Sequence, residues 1–331
     1  MKAGVAATVV LLLSGCTSVP AVDEAAKPHP SPRSTPASVV TPRAHQAPPR
    51  LRLAWLPGRL PQPLAREAVS SADPWHAVVA GGLVSGDTST RATYRLDLRT
   101  GRGTRLPDLP TAVHDTVGSL VSGHALVIGG GNATEQSVVQ ARRANGWRVI
   151  GHLPLPRSDL AAASSHGITY LVGGYDGTAP AMADVLRSRN GRRWTTVAEL
   201  PVPVRYAATV LMGTSLWVFG GETSGAMVKV VQRIDLRTGR AGVVGHLPIR
   251  LGHSIAVRLG KRVLLAGGRT TSGKITARMW WFRPDTARFT GAGRLPTPLA
   301  DSAAVGGGST AFLVGGERPA FSDRVLRLHW G

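Results

Sequence analysis

The sequence predicts an all-β fold, a ring of six short-stranded sheets arranged as a six-bladed β-propeller. Three observations carry this. Glycine pairs that close an apolar run occur at Gly81-Gly82, Gly129-Gly130, Gly173-Gly174, Gly220-Gly221, Gly267-Gly268 and Gly315-Gly316, so the first glycines step by 48, 44, 47, 47 and 48. Leu-Pro openings at Leu60, Leu109, Leu153, Leu200, Leu247 and Leu295 step by 49, 44, 47, 47 and 48, in register with the glycines. Runs such as residues 216–219 and 263–266 are short, apolar and stopped by glycine, without the three-and-four spacing of a helix. A period of this size, with several strands and turns per unit, marks a propeller blade.

Residues 153–201 show the unit in order. Leu153-Pro154 opens it, and a strand over 160–165 follows, rich in small residues (Ala161, Ala162, Ala163, Ser164) that suit a crowded central axis. The second strand, 168–172, is apolar on both faces and belongs between neighbouring sheets. Gly173-Gly174 then lets the chain adopt φ > 0 and approach other backbone closely. A loop over 175–181 leads to a third strand at 185–188, a tight turn at Asn190-Gly191, and a fourth strand at 194–198. Residues 51–56 read as a fourth strand ahead of the first Leu-Pro, and 325–329 as a third strand with no fourth after it. The N-terminal strand is therefore expected to complete the last blade and close the ring, because an open ring would expose two apolar faces.

The glycine pairs, the turns Asp97-Leu98-Arg99-Thr100-Gly101 and Asp235-Leu236-Arg237-Thr238-Gly239, and Trp147 and Trp194 at fourth-strand starts carry a resemblance. The repeats resemble kelch motifs, and residues 50–331 resemble a six-bladed propeller of the galactose oxidase-like kelch superfamily. The aromatic expected in the third strand is clear only at Tyr94, with Arg233, Arg283 and Arg327 in that region elsewhere. Two enzyme groups are similar to this scaffold. Kelch-type galactose oxidases hold copper with tyrosines and histidines and cross-link one tyrosine to a cysteine. The only cysteine here is Cys16, so no such centre, and no metal or other cofactor, is expected. The bacterial sialic acid mutarotases are also exported six-bladed kelch propellers; that resemblance implies an acidic sugar met by Arg66, Arg205 and His253.

Ahead of the ring, residues 1–15 read as a secretory signal, with Met1-Lys2 as a positive start and an apolar core over 5–13 too short to span a bilayer. Leu13-Ser14-Gly15-Cys16 resembles the lipobox of bacterial lipoproteins, which implies that Cys16 is lipidated and becomes the mature N-terminus. Residues 16–49, rich in proline, alanine, serine and threonine, are expected to be a disordered tether. Residues 50–331 are the propeller. The resulting localisation is extracytoplasmic, lipid-anchored to the bacterial cell membrane. A single cysteine leaves no intrachain disulfide to staple the exported fold.

The formal net charge is +20, almost all from arginine, which favours anionic partners. Arginines cluster at the turns between third and fourth strands, for example Arg142, Arg143 and Arg148 or Arg189, Arg192 and Arg193. These turns form a basic rim at one end of the ring, the end where the tether enters, and that rim is expected to face the membrane. No aromatic-interleaved basic groove is present, so nucleic acid is not an expected partner. Counting six residues on from each opening leucine gives Arg66, Asp115, Asp159, Tyr206, His253 and Asp301, one per blade. They precede the innermost strands and are expected to ring the mouth of the central channel as a ligand site, with no residue assigned a catalytic role. The leading reading is a monomeric, membrane-anchored extracytoplasmic binding or scaffold propeller that recognises a protein or an anionic glycan. The alternative is a carbohydrate-active enzyme, sialic acid mutarotase-like and less favourably galactose oxidase-like.

Overall fold

The computed structural model describes residues 49–331; the signal, Cys16 and nearly all of the tether expected ahead of the ring lie outside the described residues. Six four-stranded antiparallel sheets make up the blades, numbered I to VI along the chain. Blade III is typical: Ala161–Ser165, Ile168–Val172, Asp184–Ser188 and Thr195–Glu199 follow in sequence and pair in that order. Blade VI is built from Ala303–Gly307, Thr310–Val314, Val325–Trp330 and Leu51–Trp55, with Leu53 opposite Leu328 in the outermost pair. The first strands of the six blades touch in succession, and that of blade VI returns to that of blade I. All six sheets are complete within the described residues.

The core is divided among the blade junctions, one apolar cluster at each. Between blades IV and V, Phe219 meets Phe282 edge-on at 5.0 Å, the geometry that aromatic quadrupoles prefer. Between blades V and VI, Leu264, Trp281, Leu313 and Leu328 pack together. These second- and third-strand residues are buried because each sheet covers the next.

The glycine pairs mark these junctions for a steric reason. Gly173 has φ 56°, and a Cβ on it would lie 2.0 Å from the Val204 carbonyl oxygen of the following blade. Gly220 and Gly267 stand in the same relation to the carbonyls of Leu251 and Leu299, at 2.1 Å. The second glycine of each of these pairs donates its N–H to that carbonyl, as Gly174 does to Val204 at 3.0 Å. A side chain here would force adjacent blades apart.

One junction departs from the pattern. The position held by Leu64, Val113, Val204, Leu251 and Leu299 is Arg157 in blade III, 1% exposed. Its guanidinium forms a two-pronged pair with Asp184, both contacts at 2.9 Å, and also donates to the Gly173 carbonyl. Removing one partner of a buried pair strands the other charge, so Asp184→Ala is expected to lose about 3 kcal/mol of stability. Arg157→Leu combined with Asp184→Ala restores the apolar junction and should recover most of that loss. Chemical denaturation of the two variants checks this; a double variant no better than Asp184→Ala contradicts it.

The antiparallel order fixes what lies at each end. Turns joining first to second and third to fourth strands share one end; the loops after the glycine pairs and after Leu-Pro share the other. Arg105 does not belong to the basic turns: it pairs with Asp108 beyond the far end of its strand, with its guanidinium 5.4 Å from the Tyr94 ring.

Candidate functional site

The six residues six on from the opening leucines all occupy the left-handed region: Arg66 (φ 61°), Asp115 (49°), Asp159 (59°), Tyr206 (53°), His253 (54°) and Asp301 (53°). That conformation costs a non-glycine residue on the order of 1 kcal/mol, so its recurrence in every blade needs a compensation. The compensation is a girdle of backbone bonds. The N–H of Arg66 donates to the Asp301 carbonyl at 3.0 Å, Asp159 to Asp115 at 3.1 Å, Tyr206 to Asp159 at 2.8 Å, His253 to Tyr206 at 2.9 Å and Asp301 to His253 at 3.1 Å. Five of the six thus link their blade to the previous one as they hand the chain to an innermost strand, and Asp115 joins the girdle as the acceptor of the Asp159 N–H. Their side chains converge on one cavity of about 230 Å³, walled below by small residues such as Gly118, Ala161 and Ala208.

A second tier sits around the first. The residue before each girdle position bridges to the residue after the glycine pair: Arg205 to Glu222, Gly252 to Arg269, Ala300 to Glu317 and Ser158 to Tyr175. Sequence reasoning singled out Arg205 but missed Glu222, Arg269 and Glu317. The repeat itself held the signal, since all three directly follow a glycine pair.

These side chains form one charge network. Arg66 reaches Asp115 at 3.1 Å, Glu317 at 3.2 Å and Asp301 at 3.9 Å. Arg269 pairs with Asp301 at 3.2 Å and also with Glu317. Arg205 holds Glu222 at 2.5 Å and Asp159 at 3.4 Å. His253 Nδ1 lies 2.5 Å from Asp301, a carboxylate partner contributed by the next blade. Its ring stacks on Tyr206 at 3.8 Å, and the Arg66 and Arg205 guanidiniums lie 5.8 and 5.5 Å from the same tyrosine ring.

Burial and charge sort the acids into two kinds. Burial opposes ionisation of Asp301, yet His253, Arg66 and Arg269 outweigh it and hold its carboxyl below the usual range. Burial pushes Asp115 up to about 7, with Arg66 offsetting part of the effect and the charges of Asp159 and Asp301 adding to it. Asp159 is raised for the same first reason, against hydrogen bonds from Tyr206 and Ser158. Glu67, beside the girdle, is pushed up to about 8 by burial. The amides of Glu67 and Ala303 pull it back only in part, and neither of its oxygens has a hydrogen bond of ordinary geometry. Burial opposes the Arg66 charge, but Asp115 and Asp301 keep its pKa above the ordinary value. Burial, then the charges of Asp115 and Asp159, raise Tyr206. The mouth therefore holds more carboxyl groups than its cations neutralise, and burial makes Glu67, Asp115 and Asp159 harder to ionise than ordinary carboxyls.

Among the described residues no group of three or more His, Cys, Asp or Glu is placed to hold a metal ion. Fold and mouth together define the class: a six-bladed β-propeller with one polar cavity at the axial end of its Leu-Pro loops. No protein-family model matches the chain, and no curated protein matches it.

Proposed function

We propose that this chain is a kelch-type binding propeller, exported and tethered to the bacterial cell membrane through a lipidated Cys16, which takes a glycan into the mouth of its channel. The observation that supports this most is the convergence of six side chains, each paid for by a left-handed backbone, on a single cavity. The girdle bonds are made by backbone and would form with any side chain; the ionisable side chains are therefore surplus to the fold. Tyr206 stacked on His253 offers an aromatic surface for a sugar face, while Arg205, Glu222 and Asp159 offer donors and acceptors. A neutral, hydroxyl-rich glycan fits better than an anionic one. Arg66, Arg205 and Arg269 already have carboxylate partners, so an added anion would find no unpaired arginine in the mouth.

The expected result is that Tyr206→Ala weakens binding of the best neutral glycan by about tenfold, as loss of one well-packed anchor does, with the melting temperature little changed. Titration calorimetry of parent and variant over a panel of neutral and acidic oligosaccharides checks this. Tighter binding of acidic members, or indifference to Tyr206→Ala, contradicts it.

One observation favours a catalytic second reading, mutarotation of a sugar. Asp115 titrates at about 7 inside the cavity, where a general acid or base works best. If it acts so, Asp115→Asn abolishes acceleration of anomeric exchange, followed by NMR, while sparing binding; a propeller that only binds gives no acceleration in either form.

A further inference from the structure

The geometry points to a seat for an anionic lipid bilayer at the end of the ring where the described chain begins, with a headgroup groove between blades VI and I and Trp75 as interfacial anchor. Leu51, paired opposite Trp330, enters at the end that holds the first-to-second and third-to-fourth turns. Every blade places arginine at or beside these turns. The carboxylates there, among the described residues, are Asp73, Asp97, Asp235 and Asp285, and each is held within its own turn. Asp97 pairs with Arg99 and Asp285 with Arg283, while Asp235 accepts from the N–H of Arg237 at 2.9 Å. Asp73 accepts from the N–H groups of Trp75 and His76 at 2.7 and 2.8 Å.

One turn departs from the repeat. Two residues join first and second strands in blades II to VI, whereas residues 71–75 do so in blade I. The longer turn is braced by Asp73, by Ser71 Oγ donating to the His76 carbonyl at 2.6 Å, and by the Leu98 N–H donating to the Trp75 carbonyl at 2.8 Å. It nevertheless leaves Trp75 55% exposed. A rigid turn that holds tryptophan in solvent, where the fold needs only two residues, suits a partner that takes up an aromatic, and tryptophan favours the water–lipid boundary.

Beside Trp75 is an open groove of about 1020 Å³, lined by Arg52, Arg99, Arg327, His329 and Phe312. Arg52 stands opposite His329, and Arg327 is its diagonal neighbour on the same face of blade VI. Like charges so placed repel, and of the three arginines only Arg99 has a carboxylate partner among the described residues. Asp73 is the sole carboxylate in the lining, with one oxygen taken up by the turn. A phosphodiester headgroup, with a negative charge and acceptor oxygens, relieves that repulsion.

The test uses the full chain carrying Cys16→Ser, so that no lipid anchor dominates, with co-sedimentation on vesicles of phosphatidylcholine alone or with phosphatidylglycerol. The segment ahead of the ring is the same in parent and variants, so comparing each variant's ratio with the parent's cancels its contribution, that of its basic residues included. The parent is expected to prefer anionic vesicles. Arg52→Ala with Arg327→Ala should lower that ratio about 25-fold, each arginine near an anionic surface contributing about fivefold. Trp75→Ala should lower anionic-vesicle binding about tenfold and remove quenching by brominated acyl chains. Arg237→Ala with Arg240→Ala, on the same end but outside the groove, should lose less. Equal binding to both compositions, equal loss in both arginine pairs, or no effect of Trp75→Ala overturns the seat. So does displacement of the bound chain by millimolar inorganic phosphate, which would mark a soluble phosphate site, or tighter binding of a DNA duplex that ignores Trp75→Ala.

Discussion

Gly173→Ala is expected to prevent the ring from closing in a stable form. Its methyl group would fall 2.0 Å from the Val204 carbonyl oxygen, and its backbone sits at φ 56°. The obstructing atom is backbone of the next blade, so relief requires moving one blade against another across an apolar junction. The cost should exceed about 4 kcal/mol, the range reserved for rigid core damage. Gly167 provides the contrast: it too has positive φ, at 72°, but a Cβ there meets nothing within 4 Å. Gly167→Ala should cost about 1 kcal/mol, the conformational part alone. Thermal melts of the two variants separate sterics at the junction from turn conformation. Similar losses in both would mean that the blades do not meet at the glycine pairs as described.

The second large effect concerns pH. Glu67 keeps its proton up to about pH 8 in the folded chain, against an ordinary 4.5. Between those values the folded state binds the extra proton, so stability falls as pH rises through that window. Below it, both states are protonated and no cost appears. By pH 9 the accumulated loss is on the order of several kcal/mol. Asp115, raised to about 7 by burial, adds to the same slope over the lower part of the window. Glu67→Gln replaces a carboxyl that must shed its proton with an uncharged group of the same shape. It is expected to gain stability above pH 8, to change little at pH 5, and to flatten the profile between. Denaturant midpoints measured from pH 5 to 9 check this, and a variant with the parent's slope would show that Glu67 is not the group responsible.

The fold was legible because its markers are steric necessities. Glycine pairs at the blade junctions and leucines at the loop entrances recur wherever a blade recurs, and counting them gave six sheets and their boundaries to within a residue or two. The girdle was legible for the same reason: a fixed offset from the opening leucine finds a position where every blade must turn left-handed. What the offset could not reveal is pairing. That His253 meets Asp301, or that Arg66 meets Glu317, depends on side-chain length and direction between blades the ring already makes neighbours, and a one-dimensional period encodes neither. Arg157 was hidden for the opposite reason. It breaks an aliphatic pattern, and only the presence of Asp184 on the adjoining strand makes a buried arginine tolerable there. The braced turn at Trp75 was present as a few added residues in the first repeat, but its exposure follows from hydrogen bonds that composition does not show.

If the mouth is a binding site and not ornament on a scaffold, a bound glycan must shield it. Hydrogen–deuterium exchange with the tightest neutral glycan of the panel, followed residue by residue, tests that directly. Protection confined to the segments around Arg66, Asp115, Asp159, Tyr206, His253 and Asp301 and to the loops after the glycine pairs is the predicted outcome. Protection at the outer strands or the basic turns, with the mouth unchanged, would contradict it.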